Sequence, residues 1–399
     1  MATNGSSSSG RSSSSKSGGT AAAARITTYL NTEHGAPATL IDGLNELTQS
    51  PIRTAAPGIA LFDQHILPLA HAGGIAWNCV FKASRAINER TLRIVTFVTT
   101  ERSSSTGSDS AALVITIYFH PNRRANAFRG LGHVLAIARS PAVATAFAVD
   151  AQSIHSGLAA TAAAASQLHS VRLARSLLAR SEQAHFDTLG TMIDCSRNGV
   201  LNVASTKFLL RILALLGYNM LQLYTEDTYK IPNEPFFGYL RGGYTFEDTK
   251  EIDDYAYLFG IELVPCIQTL GHLGQVLQWP RFLSLRDTSE VLLAAPSHPP
   301  TATLVAQMLD AAMAPVRTKR IHLGMDETHG LAMGRFHQLY NAREGRDASE
   351  VFVRHLQVVQ DLCQERGIKG MIWSDSECFD RFPPSLCNLS RFAHILFHP

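Results

Sequence analysis

The sequence predicts an α/β chain in which a small α/β sheet domain is followed by an incomplete (β/α)8 barrel of TIM type. Three observations carry that prediction. From Leu189 onward one theme repeats: a short apolar strand, a polar strand end, then a helical stretch. Five such units run in one direction, as expected of a parallel sheet with helices across its faces. The polar residues gather at the same end of each strand, the end that builds the catalytic rim of a parallel barrel.

Residues 1–24 are rich in Ser and Gly with almost nothing to bury, and are expected to be a disordered tail. Residues 25–140 read as the small α/β domain. Its strands are expected at 75–82 (IAWNCVFK), 91–100 (TLRIVTFVTT) and 111–120 (AALVITIYFH), where β-branched and aromatic residues concentrate. Pro121 opens a helical segment in which Ala125, Phe128, Leu131 and Leu135 recur at helical spacing. Residues 141–184 are alanine-rich and predict a connecting helix with Leu168, Val171, Ala174 and Leu178 on one stripe; the Ala/Ser run at 156–166 is expected to be mobile. Arg172, Arg175 and Arg180 are read as a solvated face rather than an anion site.

The barrel domain is placed at 185–399. Its strands are expected in GTMIDCSRN (190–198), YNMLQLYTED (218–227), GIELVPCIQTLGH (260–272), RIHLGMDE (320–327) and KGMIWSDSE (369–377), with AHILF (393–397) as a weak sixth. Thr245 with Asp248 three residues on predicts a capped helix start. The strand of 320–327 is the most informative. Ile321, Leu323 and Met325 alternate with His322, Gly324 and Asp326, and the strand closes on two adjacent carboxylates, Asp326 and Glu327. Alternation sends Asp326 inward and Glu327 in another direction, so one carboxylate can lie under a substrate while the other approaches from the side.

Composition narrows the function classes. With 35 basic and 33 acidic residues and a net charge of +2, there is no electrostatic case for nucleic acid or an anionic membrane as partner. No apolar run approaches a membrane span, and no hydrophobic leader is visible, so a cytoplasmic location is expected. The six cysteines lack metal-ligand spacing and are expected to be reduced and buried. No cofactor or metal is expected. His322, Asp326 and His329 do not fall on one helical face, and His322 is expected to pack inside the barrel.

The motifs HLGMDE (322–327), DCSRN (194–198), RGGYTFED (241–248), GIELVPCIQTLGH (260–272) and MIWSD (371–375) together resemble glycoside hydrolase family 20, the β-N-acetylhexosaminidases, and within it the shorter intracellular-type branch. The resemblance runs over about residues 186–380 and implies hydrolysis of terminal non-reducing β-linked N-acetylglucosamine or N-acetylgalactosamine. It also implies a substrate-assisted retaining mechanism, the exception to the two-carboxylate scheme, in which the 2-acetamido carbonyl attacks the anomeric carbon and forms an oxazolinium ion.

By resemblance Glu327 is the general acid and then the base, and Asp326 holds the acetamido N–H and offsets the developing positive charge. That division requires Asp326 to stay ionised while Glu327 carries the proton. Arg197 matches a sugar-binding arginine, Asp227 an acidic residue at the sugar subsite, and His272 a histidine beside the acid. Trp373 is expected to supply an apolar wall and Asp375 a polar contact. Glu226 competes with Asp227 for its role, since strand parity does not separate them.

The sequence departs from the family in its last third. A closed barrel takes eight strands, and only five with a weak sixth are read here. The tyrosine and tryptophans that the family draws from later strands have no counterpart among the three tryptophans, Trp77, Trp279 and Trp373. The expectation is a C-terminally truncated form of a complete enzyme. The alternative is an inactive family member acting as a sugar-binding or interaction remnant.

Overall fold

The computed structural model describes residues 26–31, 38–49, 76–102, 109–138, 140–155, 161–295, 298–341, 347–373 and 394–396. The 1–24 tail and Asp375 lie outside them. Two sheets organise these residues.

The first sheet has the order β1 (Ile26–Asn31), β2 (Ala76–Ala83), β4 (Asp109–Phe119), β3 (Thr91–Arg102), β5 (Arg180–Gln183). β1 and β2 are parallel, β2 and β4 are parallel, and β3 runs antiparallel to both β4 and β5. The three expected strands are β2, β3 and β4. β1 and β5 were not expected. The RSEQ of β5 carries no apolar alternation, and its strand character comes from its ladder with Thr91–Ile94 of β3. Helices α1 (Ala38–Gln49), α2 (Ala125–Ala138), α3 (Pro141–His155), α4 (Ala162–Gln167) and α5 (His169–Leu178) accompany this sheet.

The segment expected as one connecting helix over 141–184 is therefore three helices and an edge strand. Leu168 takes an extended backbone (φ −59°, ψ 139°) and breaks the run between α4 and α5. The expected stripe still points inward, with Val171, Ala174 and Leu178 fully buried. Part of the Ala/Ser run expected to be mobile is the ordered α4, capped by the Thr161 hydroxyl, which accepts from the Ala164 N–H.

The second sheet is parallel throughout, in the order β6 (Gly190–Asp194), β7 (Met220–Glu226), β8 (Glu262–Ile267), β9 (Arg320–His322), β10 (Lys369–Trp373), β11 (His394–Leu396). β11 is the weak sixth strand of the sequence reading. The helices are α6 (Val203–Leu216), α7 (Phe246–Leu258), α8 (Gly274–Leu277), α9 (Pro299–Met313) and α10 (Ala348–Glu365). α7 starts in the expected capping box: Thr245 and Asp248 each bond the other's backbone N–H. α6 ends at Gly217, whose φ of 84° suits a residue without Cβ.

Side-chain alternation sorts these strands into two faces. Ile321, Leu323 and Met325 join Leu304, Met308 and Phe352 in a core beneath α9 and α10, the burial expected of the oily face of 320–327, but the expected strand ends at His322 and left-handed Gly324 and Met325 follow it. Leu221 and Leu223 of β7 enter a different core, which they share with Trp77, Phe128 and Phe259, so the barrel and the first sheet are packed into one another. Each large side chain so buried contributes on the order of 1.5–3 kcal/mol. The inward face carries Met220, Val264 and Met371, and above them the polar side chains of the rim. Among the described residues, four cysteines are free and buried, and no single helix is long and apolar enough to cross a membrane.

Candidate active site

On β7 the inward positions are Gln222, Tyr224 and Glu226, two residues apart and buried to 8% exposure or less. Tyr224 Oη donates to Glu226 Oε1 at 3.0 Å, and Arg197 Nη1, just beyond β6, donates to the same oxygen. Asp194 prepares the approach of Arg197: it accepts from the Ser196 N–H and hydroxyl, each at 2.7 Å, and tightens the turn after β6. The hydrogen bond to the buried Glu226 carboxylate raises the pKa of Arg197, against its own partial burial.

The same Tyr224 Oη accepts from Gln268 Nε2 at 2.9 Å, and that amide also donates to Asp326 Oδ1 at 2.7 Å. Gln268 Oε1 in turn accepts from the Met325 N–H at 3.0 Å, so one side chain after β8 holds both a carboxylate and the backbone beside it. Gly324 is required for this. Its φ is +70°, and a Cβ there would run into the Gln268 amide. His272 Nε2 completes the arrangement, lying 3.3 Å from Asp326 Oδ2 and 3.3 Å from Glu327 Oε2. Gly271 lets the histidine come this close, since a Cβ on it would sit 2.8 Å from the Asp326 carbonyl oxygen.

The result is one network of hydrogen bonds and ion-pair contacts, from Arg197 through Glu226, Tyr224, Gln268 and Asp326 to His272 and Glu327, across the ends of β6 to β9. Its backbone is unusual. Asn198, Glu226, His272, Met325 and Glu327 all have positive φ, between 44° and 70°. Non-glycine residues seldom adopt this conformation, and it costs on the order of 1–3 kcal/mol where packing enforces it. Three of the five, Glu226, His272 and Glu327, carry side chains of the network.

The electrostatics distinguish the two carboxylates. Burial pushes the Asp326 carboxyl up, but the hydrogen bonds from His272 and Gln268 outweigh it and hold the pKa below the ordinary value. His272 is raised, chiefly by its hydrogen bond to Asp326 and against its own burial. Asp326 is thus an ionised, doubly held acceptor with 18% of its side chain exposed. Glu327 stands at the mouth with 58% exposed.

The remaining expected residues fall in three places. Trp373, at the end of β10, packs on His322 with ring centroids 4.5 Å apart. His322 itself is fully buried, its pKa pushed down to about 4 by that burial, and its Nδ1 accepts from the Gly324 N–H; no metal-holding group of His, Cys, Asp and Glu occurs among the described residues. Asp227 is not in the network. Its carboxylate is 2% exposed, 3.4 Å from Arg241 Nη2, with neither oxygen hydrogen-bonded, and burial raises its pKa. Of the two strand-end acids that the sequence leaves open for the sugar subsite, Asp227 and Glu226, it is Glu226 that meets Arg197. Tyr224 was missed altogether, although the two-residue spacing from Glu226 was available to find it.

Residues 186–385 match the family model described as glycosyl hydrolase family 20, catalytic domain. The chain belongs to this family. Among curated proteins it is similar to hexosaminidase D of Homo sapiens, 27% identical over 166 residues, which is 40% of this chain and 34% of the human protein. It is also similar to hexosaminidase D of Bos taurus, 26% identical over 169 residues, 40% of this chain and 47% of the bovine protein. The chain thus matches a third to a half of the length of these relatives. Among solved structures, the family 20 exo-β-N-acetylglucosaminidase of Vibrio harveyi superposes with a TM-score of 0.52 at 16% identity, over 88% of this chain and 51% of that one. The β-N-acetylhexosaminidase of Bacteroides fragilis gives 0.54 at 14%, over 88% and 63%. These likenesses establish the family 20 fold.

Proposed function

We propose that this chain is an exo-acting β-N-acetylhexosaminidase that removes terminal non-reducing β-linked N-acetylglucosamine or N-acetylgalactosamine, with a substrate-assisted retaining mechanism and a cytoplasmic location. The observation that carries the reading is the placement of Asp326 and Glu327 each 3.3 Å from one nitrogen of His272, within a network that reaches Arg197. The names of the curated relatives support the substrate class.

The acetamido carbonyl oxygen of the bound sugar bonds to the anomeric carbon as the glycosidic C–O bond breaks. The departing oxygen keeps the bonding electron pair and takes the proton of Glu327, whose exposure suits contact with a leaving group. Asp326, held ionised, accepts the acetamido N–H and balances the positive charge of the oxazolinium ion. Glu327, now a carboxylate, takes a proton from water, whose oxygen attacks the anomeric carbon from the vacated side and regenerates the acetamide with retention. Delivering the nucleophile from within the substrate gives a large effective molarity, so the protein supplies none of its own. Arg197 offers a rigid fork to the sugar hydroxyls, and Trp373 an apolar wall.

Release of nitrophenol from nitrophenyl β-N-acetylglucosaminide by the 399-residue chain tests the reading. Turnover is expected, and none from the corresponding glucoside, which lacks the acetamido nucleophile. Equal rates on both would overturn the mechanism, and no turnover of either would leave only the sugar-binding alternative.

A further inference from the structure

Two arginines of α5 share a cleft with arginines of the first sheet. Arg172 and Arg175, three residues apart and so on one side of the helix, line an open cleft of ≈ 580 Å³ together with Arg180 at the start of β5 and Arg93 on β3. Arg93 comes from a strand some eighty residues earlier, and the β3–β5 register brings it alongside Ser181. No carboxylate lines the cleft. Glu182, two residues beyond Arg180, accepts from Arg129 at 2.8 Å and from Arg180 at 3.3 Å and meets His133 at 3.1 Å, so its charge is already shared.

Among the described residues the guanidinium groups of Arg93, Arg172 and Arg175 have no hydrogen-bond or ion-pair partner, and the buried Nε atoms of Arg175 and Arg180 are unsatisfied. The whole chain carries a net charge of only +2. Arg180 already donates to Glu182 and to the Leu177 carbonyl, so the three guanidinium groups of Arg93, Arg172 and Arg175 are the local concentration of charge, and they repel one another until an anion enters. The planar fork of arginine presents paired N–H donors that match the oxygens of a tetrahedral oxyanion.

We propose that this cleft binds a phosphate or sulfate group through Arg93, Arg172 and Arg175, with the engaged Arg180 at its edge, independently of the hydrolytic site. The group is either a free ion or an ester on a small sugar. Calorimetric titration of the full chain with sodium phosphate, sodium sulfate and an N-acetylglucosamine sulfate ester, at ionic strength held constant with chloride, separates these sources. Saturable binding at one site is expected, weakened at least about tenfold in Arg93→Gln/Arg175→Gln by the loss of charged hydrogen bonds. The ester binding more tightly than either ion identifies an ester-borne group, and equal affinities a free ion. In thermal melts the anion is expected to raise the Tm of the unsubstituted chain but not that of the double variant. Should the double variant fail to fold, Arg172→Gln, on the exposed helix surface, decides: an affinity unchanged from the parent overturns the proposal. So does the absence of saturable binding beyond chloride.

Discussion

Two acid pairs close neighbouring parts of the barrel rim, Glu226–Asp227 after β7 and Asp326–Glu327 after β9, and as sequence they are near equivalents. Each contains one residue in the left-handed region, and in both it is a glutamate with φ of 44°. The position of that residue within the pair differs. In the first pair it is the leading acid, which keeps its carboxylate among Tyr224 and Arg197 while Asp227 turns away into a buried position beside Arg241. In the second it is the trailing acid, and the reversal leaves both carboxylates within 3.3 Å of one histidine nitrogen. Two adjacent acids make a site only where the backbone presents both to a shared donor.

The strongest test of this contrast is substitution of the trailing acids. Glu327→Gln is expected to lower kcat on the nitrophenyl substrate by about 10²–10⁴-fold, the range of a lost general acid. Asp227→Asn should change it by less than about tenfold, because its carboxylate stands outside the network, buried beside Arg241. Comparable losses in the two variants would dissolve the distinction between the pairs.

Asp326→Asn should follow closely, with kcat down by about 10²–10³-fold and little change in KM, as for a group that stabilises charge formed only in the transition state. A rise in KM with kcat intact would assign Asp326 to ground-state binding instead. Arg197→Lys is a smaller perturbation. It keeps the charge but loses the fork, and a roughly tenfold fall in kcat/KM carried by KM is expected.

The smallest effect is a pH-dependent stability difference between the parent and His272→Asn. The pKa of His272 is raised, so its contribution is full below the ordinary histidine value and is lost as pH rises through the folded value. The pKa of Asp326 is lowered, so its contribution is full above the ordinary carboxylate value and is lost as pH falls through the folded value. The Tm difference is therefore expected to be largest between roughly pH 4 and pH 6.5 and to shrink in alkali. A difference independent of pH would show that the pairing with Asp326 contributes nothing to folding.

Much of the barrel was legible because parallel strands buried on both faces leave a strong local pattern: apolar runs that end in polar clusters. The capping box of α7 and the oily face of Ile321, Leu323 and Met325 were equally local signals. The first domain was less legible at its edges. β5 has no pattern of its own, and the alanine-rich segment holds a break at Leu168 that helix propensity alone gives no reason to place there.

The chain's order of residues by itself determined which strand ends gather polar side chains, since the alternation of side chains along a strand and the run of motifs are properties of neighbours in sequence. It also determined the family, through motifs long enough to be specific. Only the tertiary structure decided that Glu226 rather than Asp227 meets Arg197, that Tyr224 and Gln268 join the two acid pairs, and that Arg93 completes a cluster with the arginines of α5. These outcomes depend on left-handed backbone at the strand ends and on ladder register between distant segments, and both are set by packing across the fold rather than by any stretch of sequence alone.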